Sequence, residues 1–498
     1  MRKITKQSKV TLVELPPTQF GEYNGEGGFC VFDRFGLIPS RALPTLEAVA
    51  RQAGFGNVEQ INPLFDGAGG KMTPENEARS YGSDVLAVSS ITRTSPQSME
   101  LLGRYKLKNP GGIAVAGGPD PTFRPEKWLE EGHADVVVMK EGDRRFPELL
   151  ERLEQDPEDL SGLDGVAWKK NGQVVINPPE GWLSAEELSQ LPHPIYNKRT
   201  RTKANIPVLE TIRGCPNACN FCSVTTFYGG KYRMKGLDHV LEGLRDVRDI
   251  KGMSLFFTDD NLTASPRRTI ELCDRIVDEG LARGSCAQST VKVTERQDVL
   301  DALKRAGIKT LYIGLESIND ASLEGYDKPY SAQQNKDAIE IFAEQGLWGH
   351  VMFMPGGEGD TPESLREDFE WCKENVHSIQ FMPPTALPGT KFYDQMKSEG
   401  RILRENSPHL YDVQHVVVRP AHFTPYELQT TINGMYEEFY SPREFARRTL
   451  RFKTLREKMI NVALAANLIS NRAIQRTLYG PQELEHLEFL KSLDKNRN

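Results

Sequence analysis

Short runs of Val, Ile, Leu and Ala recur along this chain, each followed by a stretch whose apolar residues have helical spacing. That alternation restricts the fold more than any other feature. In the first 155 residues the runs are KVTLVEL (9–15), NVEQIN (57–62), DVLAVSS (84–90), GIAVAGG (112–118) and ADVVVMK (134–140). Helix-like stretches such as LPTLEAVARQAG, SPQSMELLGRYK, PEKWLEEG and FPELLERLEQ lie among them. Strands that are apolar throughout, rather than at alternate positions, belong to a sheet covered on both faces, and helical crossovers make such strands parallel.

Five such units predict a flavodoxin-like doubly wound α/β domain over residues 1–160, with its ligand beyond the carboxyl ends of the strands. Residues 161–204 have a different texture. GVAWKKNGQVVINP (165–178) predicts a β-hairpin turning at Asn171-Gly172, and the Pro-rich segment after it, basic toward its end, predicts a linker. The alternation then restarts over residues 205–395 with PVLETIRG (207–214), MSLFFTDD (253–260), SCAQSTVKV (285–293), KTLYIGLES (309–317), GHVMFMPG (349–356) and SIQFMPP (378–384). Ser265-Pro266 and Thr361-Pro362-Glu363 place a hydroxyl at the cap and proline at the first helical position. Six strands make a partial (β/α)6 TIM-like barrel, two units short of a closed one. Residues 396–498 lose the strand signal and predict a helical region. It opens on a capping box, Thr424 to Glu427, and continues in a basic amphipathic stretch read as a solvated face.

Length and composition set the outer bounds. A chain of 498 residues predicts two or three domains, and a formal charge of -7 argues against a dedicated nucleic-acid binder. No apolar run approaches the roughly 20 residues of a membrane span, and the N-terminal MRKITKQSK is no secretory signal. Peripheral membrane contact through the basic helix stays open. Seven cysteines in so long a chain do not form a disulfide framework, so a cytoplasmic location is expected. Cys30, Cys273, Cys286 and Cys372 are isolated, and Cys273 and Cys372 sit on apolar helical faces as core filler.

The other three cysteines are grouped. Cys215, Cys219 and Cys222 stand in C-x3-C-x2-C spacing within RGCPNACNFCSVTTFYGG (213–230). Thiolates select zinc or iron–sulfur. A structural zinc needs a fourth protein ligand at short spacing, but no cysteine follows until Cys273 and His239 lies in a helical pattern. Three ligands fit a [4Fe–4S] cluster with one iron left for an exogenous group. The stretch follows the first barrel strand, where parallel barrels build their ligand sites.

This loop, with Phe221 just before the third cysteine, resembles that of the radical S-adenosylmethionine (radical SAM) enzymes. The resemblance implies that the free iron chelates SAM, and that one electron cleaves it to methionine and a 5′-deoxyadenosyl radical. It also implies SAM-binding positions along the barrel: Phe221 near the adenine, and Thr258, Asp259, Asp260 and Asn261 after the second strand. Glu316 and Ser317 follow the fourth strand, and Met354 and Gly356 the fifth. The residue types suit a ligand that carries an ammonium, a carboxylate, ribose hydroxyls and an apolar base.

With a doubly wound N-terminal domain, the chain resembles the cobalamin (B12)-binding class of that superfamily. The resemblance implies cobalamin contacts at Ser89, Ser90 and Thr92 after the third strand, Gly117 and Gly118 after the fourth, and Glu141 and Gly142 after the fifth. The glycines let backbone amides approach a bulky planar ligand. The Asp-x-His-x-x-Gly motif, whose histidine ligates cobalt in other cobalamin proteins, is absent.

The resulting expectation is a cobalamin-dependent radical SAM enzyme that methylates an unactivated carbon of a small-molecule, lipid or natural-product substrate. Its electrons would come from a donor such as flavodoxin or ferredoxin. The alternative keeps the radical and drops methylation, catalysing cyclisation, carbon–carbon coupling or oxygen insertion with a vestigial cobalamin domain. A non-enzymatic sensor is disfavoured by the intact SAM-pocket pieces.

Overall fold

A computed structural model describes residues 1–16, 38–66, 71–250, 252, 254–451 and 483–494, so Cys30 and most of the basic C-terminal stretch lie outside the described residues. The chain divides into two compact units. The first takes residues 1–208, 227–229 and 233–253, and the second takes 209–226, 230–232 and 254–498.

The first unit is built on strands β1 (Val10–Glu14), β2 (Val58–Ile61), β3 (Val85–Ser89), β4 (Ile113–Gly117), β5 (Val136–Val138), β6 (Val166–Lys170) and β7 (Gln173–Ile176). Their order is β2-β1-β3-β4-β5-β6-β7, and the first five are parallel. This is the doubly wound order expected of five βα units, with its switch point between β1 and β3. The unbroken apolar runs now have their reason. Leu12, Ala87, Val115 and Val136 enter one core with Phe146 and Leu149, whereas Val13, Leu86, Ala114 and Val137 enter the opposite one with Leu102, Tyr105 and Trp128. Every position of a strand covered on both faces must be apolar.

The hairpin is part of this sheet. Asn171 and Gly172 both take positive φ, 53° and 80°, as a two-residue turn matched to strand twist requires, and β6 pairs antiparallel with β5. The linker-like segment is ordered by caps: Ser184 forms a capping box with Glu187, and the Asn197 side chain accepts from Thr200 N.

The second unit carries β8 (Val208–Leu209), β9 (Leu255–Phe257), β10 (Ser285–Ser289), β11 (Ile308–Glu316), β12 (Trp348–Phe353) and β13 (Ser378–Phe381) in chain order across one open sheet. The neighbours from β9 to β13 are parallel. Thr361 caps its helix as expected, but the Ser265 hydroxyl makes no capping bond. The first strand is shorter than its run of apolar residues suggests, because the amides of Thr211 and Ile212 leave the ladder for the Asp259 carboxylate.

An open sheet has edges, and β13 is one of them. Helix α1 (Pro425–Phe439) and the residue after it supply two tyrosines that cover that edge. Tyr436 Oη accepts from Phe381 N and donates to Phe381 O, and Tyr440 Oη does the same with Ile379. Two phenols thus satisfy the unpaired backbone that would otherwise invite another strand.

Candidate active site

The cysteine loop and its surroundings belong to the second unit. Cys219 is buried, Cys215 and Cys222 are half-buried, and none of the three is in a disulfide. Burial pushes all three thiols above their ordinary pKa. Asp260 adds to the rise at Cys215 and Cys222, and Lys328 opposes it at Cys215 and Cys219. The three groups sense one another, with Cys222 acting on Cys215, Cys215 on Cys219 and Cys219 on Cys222. Three unbridged thiols sharing one field fit a cluster held by three cysteines.

The loop is tied to the carboxyl end of the short helix Asp320–Gly325 that follows β11. Asn220 N donates to Tyr326 O at 3.3 Å, Asn220 Nδ2 donates to Gly325 O at 2.8 Å, and the Phe221 ring meets Tyr326 edge-on at 5.5 Å. These contacts fix the residue next to the third cysteine.

The two adjacent aspartates do different work. Asp259 is 0% exposed, and its carboxylate accepts from Thr211 N and Thr211 Oγ1, each at 2.6 Å, and from Ile212 N at 2.9 Å. It anchors the start of the cysteine loop, and burial raises its pKa to about 7 against those three donors. Asp260 accepts from Gly214 N at 3.1 Å and lies in the field of the thiols. Thr258 bonds to Leu209 O, and the buried Asn261 accepts from Thr263 Oγ1.

At the end of β11 the register shifts between Gly314 and Glu316, and Glu316 takes a φ of +61°, unusual for a non-glycine residue. Its carboxylate meets Lys328 Nζ at 3.0 Å, with side chains 8% and 4% exposed. Burial works against the lysine's charge, but Glu316 and Cys219 outweigh it and hold its pKa above the ordinary value. Sequence reasoning missed Lys328. Ser317 Oγ accepts from Asn319 N, and Met354 N donates to Glu316 O. Gly356 takes a φ of +95°, and a Cβ there would fall 2.5 Å from Leu428. Its amide, like that of Gly357, donates to Asp360.

In the first unit the predicted positions gather at the carboxyl ends of β3, β4 and β5. Gly118 takes a φ of +99°, and a Cβ on it would lie 2.7 Å from Ser90 O and 2.9 Å from Ser90 N. Only glycine fits there, and the half-buried Ser89 and Gly117 beside it leave a ledge of small residues suited to a broad flat ligand. Ser90 is turned inward, its hydroxyl shared with Thr94 and its amide bonded to Gly117 O. Thr92 is buried, and Gly142 packs near Leu46. Glu141 makes an internal pair: its carboxylate accepts from Arg233 Nη1 at 2.8 and 2.9 Å and from Leu183 N at 3.0 Å. Arg233 was invisible to sequence reasoning because its partner lies 92 residues away.

The tyrosines and arginines of the C-terminal region are structural. Tyr436 and Tyr440 are spent on the sheet edge. Arg447 bonds Lys373 O and Glu444, and the buried Arg448 lies 3.8 Å from the Phe439 ring centroid.

An open, largely parallel sheet with three cysteines after its first strand, in one chain with a doubly wound sheet ending in a ledge of small residues, defines a class: a cluster-dependent enzyme with a second, planar-cofactor domain. Comparison with known proteins makes the class specific. Residues 209–372 match the Radical SAM superfamily and residues 31–150 match the B12 binding domain. The chain is a radical SAM protein with a B12-binding domain, and its cofactors are a [4Fe–4S] cluster, S-adenosylmethionine and cobalamin.

Among curated proteins it is 29% identical over 388 residues to the uncharacterized methyltransferase PH0819 of Pyrococcus horikoshii, covering 76% of this chain and 83% of that one. It is 27% identical over 360 residues to the hopanoid C-3 methylase of Methylococcus capsulatus, covering 69% of this chain and 66% of the methylase. Among solved structures, the cobalamin-dependent S-adenosylmethionine radical enzyme OxsB, with aqua-cobalamin and S-adenosylmethionine bound, superposes with a TM-score of 0.70. The sequences are 15% identical, and the match covers 98% of this chain and 75% of OxsB. Among the described residues, no helix is long and apolar enough to cross a membrane.

Proposed function

We propose that this protein is a cobalamin-dependent radical SAM methyltransferase that methylates an unactivated carbon of a small-molecule or lipid substrate. The observation that carries the reading is the presence, in one chain, of three unbridged thiols after the first barrel strand and a ledge of small residues, Ser89, Gly117 and Gly118, at the carboxyl ends of β3 and β4. Similarity to the hopanoid C-3 methylase and to a second methyltransferase supports methylation, and similarity to an anaerobic magnesium-protoporphyrin IX monomethyl ester cyclase makes ring closure the second reading.

Cys215, Cys219 and Cys222 hold the cluster, and the high pKa of each thiol means that loading it displaces protons. Phe221 offers a ring face to the adenine. Asp260 and Asn261 receive the amino end of SAM, while Asp259 acts only through the backbone it anchors. Glu316, Ser317, Met354 and Gly356 frame the ribose and carboxylate side, with Lys328 offsetting the negative charge of Glu316. Ser89, Gly117 and Gly118 seat the cobalamin, and Ser90, Thr92, Glu141 and Gly142 keep that seat in shape. When bound, these groups supply a reductively generated 5′-deoxyadenosyl radical and a methyl group carried on cobalt, while the protein positions them and excludes water. A flavodoxin or ferredoxin supplies the electron.

The test is product analysis after anaerobic reconstitution. A methylase gives S-adenosylhomocysteine beside 5′-deoxyadenosine, whereas cyclisation or coupling gives only the latter.

A further inference from the structure

A second group of potential ligands lies in the first unit, on a helix that the proposed chemistry leaves unused. Helix α2 (Leu237–Asp246) carries His239 and Glu242 three residues apart, and therefore on one face. The preceding segment brings His193 against that face, between Pro192 and Pro194, whose rings restrict the backbone on either side. The imidazoles of His193 and His239 stack with centroids 4.3 Å apart and planes 15° from parallel, and His193 Nε2 lies 3.4 Å from Glu242 Oε2. One donor atom from each of the three side chains falls within 4.8 Å of the other two.

We propose that His193, His239 and Glu242 form a binding site for a divalent cation of the zinc type, separate from the iron–sulfur ligands. Two imidazoles and one carboxylate are the donor set of a three-ligand zinc centre that keeps a water in its fourth position. Imidazole-rich sites favour zinc, nickel and copper over magnesium or calcium. Binding would turn the rings out of their stack about the Cβ–Cγ bonds, because in-plane lone pairs of parallel imidazoles do not meet, and the cation would replace the long His193–Glu242 contact with two short bonds. The two segments are already tied just before the helix begins, where Gly236 N donates to the Ser189 hydroxyl at 2.7 Å.

The bound ion would act as a clasp. It would join residues 189–194 to a helix only a few residues after Arg233, whose ion pair with Glu141 supports the end of β5. The half-exposed histidines and the exposed Glu242 make it an exchangeable site rather than a sealed structural centre. This inference stands independently of the methyltransferase reading.

The test is calorimetric titration of Zn(II) into cluster-loaded protein, in which the cysteine loop is already occupied, with thermal unfolding as a second readout. Wild type is expected to bind a single Zn(II) and to unfold at higher temperature with it. His193→Ala and His239→Ala should each weaken binding at least about tenfold and abolish the thermal shift, and Glu242→Gln should weaken it less. All three changes are at the surface, and unchanged cluster content and circular dichroism would show the fold intact. The proposal is overturned if wild type takes up no Zn(II), or if binding survives undiminished in both histidine variants.

Discussion

Replacing Lys328 by Met keeps the length and most of the volume of the side chain while deleting its charge. Glu316 is then left with no ammonium at 3.0 Å, in a place where it is 8% exposed. At an effective dielectric constant of about 20, two unit charges 3 Å apart interact by roughly 5 kcal/mol. Removing one partner of a buried pair costs about 3–5 kcal/mol. Glu316 also occupies a positive-φ position, a strained conformation that its surroundings impose. The assay is urea unfolding of Lys328→Met, Glu316→Gln and the double variant as a thermodynamic cycle. Lys328→Met should lose about 3–5 kcal/mol, and the double variant should lose less than the sum of the singles by at least about 2 kcal/mol. Additive losses, or a loss below about 1 kcal/mol in Lys328→Met, would refute the claim that this pair is a buried unit beside the cysteine loop.

Other outcomes follow from the same geometry. Cys215→Ala, Cys219→Ala and Cys222→Ala should each abolish reductive SAM cleavage, and 5′-deoxyadenosine persisting at wild-type levels in any of them would sink the ligand assignment. Gly118→Ala should strain the backbone by about 1–3 kcal/mol and eliminate cobalamin retention on gel filtration, with the cluster unaffected. Asp259 keeps its proton up to about pH 7 when folded but ionises near 3.8 when unfolded, so stability should fall as pH rises between those values. Asp259→Asn can keep all three hydrogen bonds, its oxygen accepting from the two amides and its amide donating to the threonine hydroxyl. Its unfolding free energy should therefore lose that slope, as denaturant titrations across the range would show. Tyr440→Phe strands the amide and carbonyl of Ile379 and should cost about 1–3 kcal/mol in thermal unfolding while sparing SAM cleavage.

What the sequence disclosed depended on how local each signal is. The cysteine ligands lie within eight positions, and the strand runs carry their own two-sided burial, so cluster and sheets were legible. Asp259 and Asp260 looked alike because successive residues at a strand end face opposite ways, and only packing shows which one enters the interior. Lys328 and Arg233 were hidden because an isolated cation reveals nothing until folding places it against Glu316 or Glu141. Tyr436 and Tyr440 carry no local signal of their role, which only the open edge of β13 reveals. Glu141 and Ser90 likewise sit at the predicted strand ends while spending their polar atoms inside the unit.

The central claim is that one chain couples reductive SAM cleavage to cobalamin-borne methyl transfer. It is tested most directly by incubating the anaerobically reconstituted protein with SAM and reductant, with and without cobalamin, and quantifying both nucleoside products. The account predicts 5′-deoxyadenosine that requires all three cysteines, and S-adenosylhomocysteine that appears only with cobalamin and is lost in Gly118→Ala. Formation of 5′-deoxyadenosine without any cobalamin-dependent S-adenosylhomocysteine would contradict it.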